Sequence, residues 1–192
     1  REFKKFSQQL LKKKIFKTWD GNHLDFTFKK KPLSIKYIGK KGNSAISKYQ
    51  LKNIKQSFAS QIIKIERKKY FWVVTLKDKS KHQFKSLVLT CPFPQLKKLA
   101  RNYLDKRISN LKVQMQPNIT VMVAFKNQKE LPISSIKFDD KILTWAANEN
   151  SKKRFKSNFN LWTLQASLKW SKKTINKYKN NKSIMNQLIS RF

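Results

Sequence analysis

The chain has 192 residues, 39% hydrophobic and 12% aromatic, enough for one ordinary domain or parts of two with a real core. Its 45 Lys and Arg against 10 Asp and Glu give a formal charge of +35, and acids so few and scattered leave no paired carboxylates for glycosidase-type hydrolysis. A lone Cys91 excludes an internal disulfide and a cysteine-built metal site, and neither His23 nor His82 sits in a ligand spacing, so no metal site is expected.

Residues 3 to 15 read as an amphipathic helix, with Phe3, Phe6, Leu10 and Leu11 on one face and lysines on the other. Trp19-Asp20-Gly21-Asn22 breaks it as a turn. Residues 24 to 38 alternate apolar and polar positions, which predicts a strand or hairpin bent at Pro32. Gly39 to Gly42 form a loop, and Ser44 is placed to cap a short helix from Ala45 to about Leu51. Three strands are expected next, at Ile54 to Ile65, Phe71 to Leu76 and Phe84 to Thr90, separated by basic turns. Ser86 to Thr90 is apolar on both faces and reads as a buried parallel strand ending at Cys91-Pro92.

Gln95 to Leu104 has helical spacing. Ile119 to Phe125, Ser135 to Phe138, Ile142 to Ala147 and Leu161 to Ala166 read as four strands of a second sheet. Lys172 to Phe192 reads as one final helix with Ile184, Met185, Leu188, Ile189 and Phe192 on one side. No run of about eighteen apolar residues is present to cross a membrane. Arg1 to Phe6 lacks the apolar region of a secretory signal, so a cytoplasmic location without membrane partners is expected.

Four patches, in order, carry a resemblance. Tyr37-Ile38-Gly39-Lys40-Lys41-Gly42-Asn43-Ser44-Ala45-Ile46 is similar to Y-x-G-x-x-G-M-S-A-L. Gln61 to Arg67 matches a strand, and Leu87-Val88-Leu89-Thr90-Cys91-Pro92-Phe93-Pro94-Gln95 is similar to V-V-L-A-x-P-x-P-Q. Leu143 to Asn148 and Leu164 to Ser171 resemble S-W-x-A-R-N and H-A-S-P-E-W-S. Together they resemble the renalase-like FAD-dependent oxidoreductases of the flavin amine oxidase group, from Trp19 to about Phe192.

The resemblance implies an α/β fold, α+β in its second part. It would comprise a partial FAD/NAD(P)-binding Rossmann-like domain with a β-meander at residues 36–95, and a substrate domain of mixed sheet and helices at 1–35 and 96–192. It further implies hydride transfer from a reduced nicotinamide-like or amine substrate to flavin, with O2 as electron acceptor and a monomeric protein. Gly42, Asn43, Ile62, Thr90, Cys91 and Pro92 would contact FAD, and Trp145, Asn148, Gln165 and Trp170 would face the flavin or substrate. No side-chain nucleophile is required, because the flavin carries the redox chemistry.

Asn43, Asn148, Gln165, Leu168 and Lys169 stand where the family has Met, Arg, His, Pro and Glu, which bears on substrate identity. Only Gly21, Gly39 and Gly42 exist, and no G-x-G-x-x-G follows a strand. That turn and a second flavin-contacting segment are expected beyond the two ends of this chain, so the piece alone should hold FAD poorly. Two alternatives stand beside the enzyme. One is a Lys-rich nucleic-acid or other polyanion-binding domain, with Phe71, Trp72, Phe155 and Phe159 as stacking candidates. The other is a decayed structural remnant. Lysine greatly outnumbers arginine and is spread along the chain, which suits compositional bias better than a built polyanion site.

Overall fold

The computed structural model describes residues 2–29, 35–126, 131–177 and 181–192. The chain divides into two compact units, Arg1–Asn53 with Gln116–Phe192, and Ile54–Met115.

In the larger unit, helix α1 (Glu2–Lys12) buries Leu10 and Ser7. It stops where Lys14 turns left-handed (φ 55) and the Ile15 N–H bonds back to the Leu10 carbonyl at 2.9 Å. Strand β1 (Phe16–Thr18) follows and pairs antiparallel with β3 (Tyr37–Gly39), with Phe16 stacked on Tyr37 at 6.0 Å. Strand β2 is two residues, His23–Leu24. The hairpin expected over 24 to 38 fails because Asp25 accepts from the N–H groups of Thr27 (2.8 Å) and Lys29 (3.2 Å). This Asx turn competes with a ladder and leaves Phe26 and Phe28 exposed. The bend assigned to Pro32 lies outside the described residues. Helix α2 (Ala45–Gln50) forms as expected, but the Ser44 side chain makes no capping bond.

A five-stranded mixed sheet dominates this unit. It adds β7 (Thr120–Lys126), β8 (Ser135–Lys137), β9 (Leu143–Asn148) and β10 (Phe159–Ala166), in the order β2-β8-β9-β10-β7. Only β2–β8 is parallel. One face carries Val121, Leu143, Ala146, Trp162, Leu164 and Ala166. Helix α6 (Lys182–Ile189) lays Leu188 on this core, and Phe192 packs against Trp162 at 4.8 Å. The single terminal helix expected from Lys172 is in fact two pieces. Helix α5 (Leu168–Thr174) is capped by Ser167, and α6 restarts with Asn181 accepting from the Ile184 N–H.

The smaller unit is an antiparallel meander, β4 (Ile62–Arg67), β5 (Trp72–Leu76) and β6 (Lys81–Phe84), joined by helices α3 (Phe93–Ala100) and α4 (Lys106–Ser109). Ile65, Val74 and Ala100 form its core, with Leu87, Leu89, Leu96 and Leu99 against them. The strand expected at Ser86 to Thr90 is absent: the segment joins no ladder, and Val88 is 88% exposed. Leu87 and Leu89 still turn inward, so the apolar alternation is real, but no neighbouring strand pairs with it.

The observed division differs from the expected 36–95 segment. Residues 37–39 stay with the larger unit because they pair with β1, whereas 96–104 pack on Ile65 and Val74. The fold class is the expected one, mixed α/β with a mixed sheet.

Candidate functional site

Register gives the five-stranded sheet two unlike faces. Leu164 opposes Ala146 toward the core, while Gln165 opposes Trp145 and Thr163 opposes Ala147 on the other side. Across the next ladder, Met122 opposes Thr163 on that second face and is 83% exposed. Among the described residues, no helix covers this face as α6 covers the core face. A cleft of about 580 Å³ lies here, floored by Met122, Ala124, Trp145, Thr163 and Gln165, and rimmed by Asn43, Glu149, Lys152, Arg154 and Phe155.

The rim is held by charge-assisted bonds. Glu149 accepts from Lys152 Nζ at 2.5 Å and from Thr163 Oγ1 at 2.8 Å. Lys152 also sits 4.9 Å above the Trp19 ring, and Trp19 meets Trp145 edge-on at 6.5 Å. Arg154 donates from Nε to the Gly39 carbonyl (3.2 Å) and from Nη2 to Asn43 Oδ1 (2.8 Å). Burial lowers the Lys17 ammonium below the usual lysine range, and the nearby charges of Arg154, Lys40 and Lys153 lower it further.

Of the residues singled out by sequence, Asn43, Trp145 and Gln165 line this cleft together. Gly42, in the same loop as Asn43, has φ 140 and open space where a side chain would stand. Asn148 is buried, and its Oδ1 accepts from the N–H groups of Asn150 (3.0 Å) and Ser151 (3.3 Å), so it shapes the turn that carries Lys152. Trp170 packs on the core of Leu143 and Leu188 and does not line the cleft.

Ile62, Thr90 and Cys91 line a groove of about 660 Å³ in the smaller unit, with Val88 and Gln95 beside them. Pro92 stands at the α3 N-cap, its carbonyl accepting from the Leu96 N–H at 3.0 Å. A register shift between Ile62 and Lys64 leaves both Ile62 and Ile63 exposed at the groove.

Sequence reasoning missed Glu149, Lys152, Arg154 and Thr163. Thr163 was within reach, since it shares strand parity with Gln165. Glu149 and Lys152 lie three apart, the spacing of a local ion pair. Among the described residues, no helix is long and apolar enough to cross a membrane, and no group of three or more His, Cys, Asp or Glu is arranged to hold a metal ion.

No family model matches the chain. Among solved structures it resembles a protein of Exiguobacterium sp. 255-15 described as a candidate protoporphyrinogen oxidase, at TM-score 0.60 and 13% identity. The likeness covers 83% of this chain but only 36% of that protein, and it establishes a shared fold. A Pyrococcus furiosus protein from a structural genomics programme aligns at TM-score 0.43 and 16% identity, over 62% of this chain and 31% of its own, too weakly to bear on the argument.

Proposed function

We propose that the chain is part of a flavin-dependent oxidoreductase of the renalase and amine oxidase type, with the open face of the five-stranded sheet as its substrate surface. The observation that supports this most is the meeting of Asn43, Trp145 and Gln165 in one cleft, in a fold shared with a candidate oxidase. In this reading the substrate is a reduced nicotinamide-like molecule or an amine, and O2 takes the electrons. The protein works as a cytoplasmic monomer.

The residues present fit part of such a cofactor. An indole beside two carboxamides can wall a flat ring, exclude water and orient a polar edge. Gly42, with its left-handed φ and empty surroundings, allows close backbone approach. Nothing in this chain supplies the glycine-rich turn that grips a pyrophosphate. FAD, when bound, would accept the hydride. Trp145 would shield the reacting face, Gln165 and Asn43 would hydrogen-bond the ligand, and Gly42 would let backbone approach it; in the smaller unit, taken by itself, Ile62, Thr90, Cys91 and Pro92 are the positions that the resemblance assigns to FAD. Asn148 and Trp170 would support the site from behind, by fixing the 149–152 turn and by packing the sheet.

The charge by itself favours no nucleic-acid reading. Of the aromatic rings proposed for stacking, Trp72 is covered by Arg67 at 5.4 Å and met edge-on by Tyr103 at 4.9 Å, whereas Phe155 and Phe159 are exposed. Expression from the complete reading frame tests the enzyme reading. It predicts a yellow protein that releases flavin on denaturation, and a colourless product that also fails to take up added FAD would remove it.

A further inference from the structure

Next to the cleft, and not absorbed by the reading above, lies a second hollow of about 730 Å³. Lys153, Arg154, Lys156, Ser157 and Asn158 line it, and no carboxylate does. Its cations are positioned rather than loosely displayed. Arg154 is anchored through Nε and Nη2, which leaves Nη1 without a protein acceptor among the described residues. Lys153 has a left-handed backbone (φ 47), an uncommon conformation for a lysine, fixed by its N–H bond to the Asn150 carbonyl at 2.8 Å. Lys17 reaches across from β1 to donate to the Lys153 carbonyl at 2.8 Å. Ser157 Oγ accepts from the Phe159 N–H at 3.0 Å, so its own proton is free to donate.

Like charges brought together this way repel, and the depressed Lys17 ammonium reports that repulsion beside its burial. Of the acids near these groups, Glu149 is already neutralised by Lys152, and Asp20, which lines a neighbouring hollow with Lys153, accepts from Thr18 Oγ1 at 2.7 Å. A fork-shaped guanidinium with an open edge, flanked by ammonium groups and a hydroxyl in a concavity, matches the oxygens of a compact polyvalent anion.

We propose that this hollow is a binding site for a small polyvalent anion of the phosphate or polycarboxylate class, with Arg154 as the central contact. The site does not depend on a flavin being bound.

Calorimetric titration with pyrophosphate and with citrate at fixed ionic strength tests it. The double variant R154Q/K153Q should bind the preferred anion about tenfold more weakly, the loss of one or more charge-assisted contacts. K172Q/K173Q removes the same charge from α5, at the other end of β10 from the 150–158 turn, and should change affinity less than about twofold, because screening weakens distant charges. A tighter constant for pyrophosphate assigns the phosphate class, and a tighter one for citrate assigns the carboxylate class. Equal weakening in both double variants would mean that only bulk charge is sensed, and that result, or no binding of either probe, overturns the proposal. Should R154Q/K153Q fail to fold, K153Q/K156Q, at two exposed lysines that line the hollow, makes the same comparison.

Discussion

Glu149 decides the charge of the cleft, and its removal is predicted to act on stability and binding in opposite directions. Its side chain is 20% exposed and that of Lys152 is 11% exposed, so the pair is largely taken from water. Breaking a fully buried pair costs about 3–5 kcal/mol, whereas exposed pairs are worth about 0–1 kcal/mol. Partial exposure and the cation–π contact of Lys152 with Trp19 place Glu149→Gln between these limits, at about 2 kcal/mol. The glutamine retains an acceptor for Thr163, so the loss reports the charge rather than the hydrogen bond. Lys152→Met alone should cost a similar amount, and the double variant less than the sum, giving a coupling of about 1 kcal/mol in urea unfolding. Glu149→Gln should also tighten pyrophosphate binding, since it uncovers a cation beside Arg154. Additive costs with no coupling, or weaker pyrophosphate binding, would refute this view of the rim.

Other substitutions test the frame. Leu164→Ala, at a fully buried position in the sheet core, should cost about 2–5 kcal/mol in urea unfolding. Gly21→Ala would place a Cβ 2.2 Å from Ser134 Oγ at φ +127, and should destabilise by about 1–3 kcal/mol. Asp140 caps the start of β9 through the Ile142 and Leu143 N–H groups and pairs with Arg191 at 2.7 Å. Burial would raise its carboxyl, but the Leu143 and Ile142 N–H bonds and Arg191 together hold it below the usual range. Its contribution is therefore present at neutral pH and lost as pH falls through the acid range, a loss that Asp140→Ala should abolish in pH-dependent melting curves. His23 is depressed by burial and by Lys36, against the Trp19 carbonyl bond and Asp20. The neutral ring is the folded form, so stability should fall as pH drops below the ordinary histidine range, and this fall should flatten in His23→Gln.

Periodicity made the second sheet legible. The period-two run at 119–125 and the strand-like runs at 135–138, 142–147 and 161–166 coincide closely with β7, β8, β9 and β10. The same logic placed Leu188 and Phe192 on the core. It failed wherever local polar chemistry or pairing decided the outcome. Asp25 closes a turn that hydropathy cannot register, and Ser86 to Thr90 has a strand's composition with no ladder neighbour. Trp145 and Trp170 looked equivalent in sequence, yet only Trp145 lines the cleft, because it stands at an outward position of β9 whereas Trp170 lies on α5 and packs on the core. The basic rim was invisible because Lys17, Lys40 and Arg154 are distant in sequence and converge only once β1 pairs with β3 and the 149–158 turn folds beside them.

The most direct test of the account is the anaerobic rate of flavin reduction in the protein expressed from its complete reading frame, compared between the natural chain and Trp145→Leu. A working open face predicts reduction slowed about tenfold or more, or about 1.4 kcal/mol of barrier, with flavin content retained. Unchanged reduction in Trp145→Leu, with slowing instead in Trp170→Leu, would show that the catalytic surface lies on the other side of the sheet.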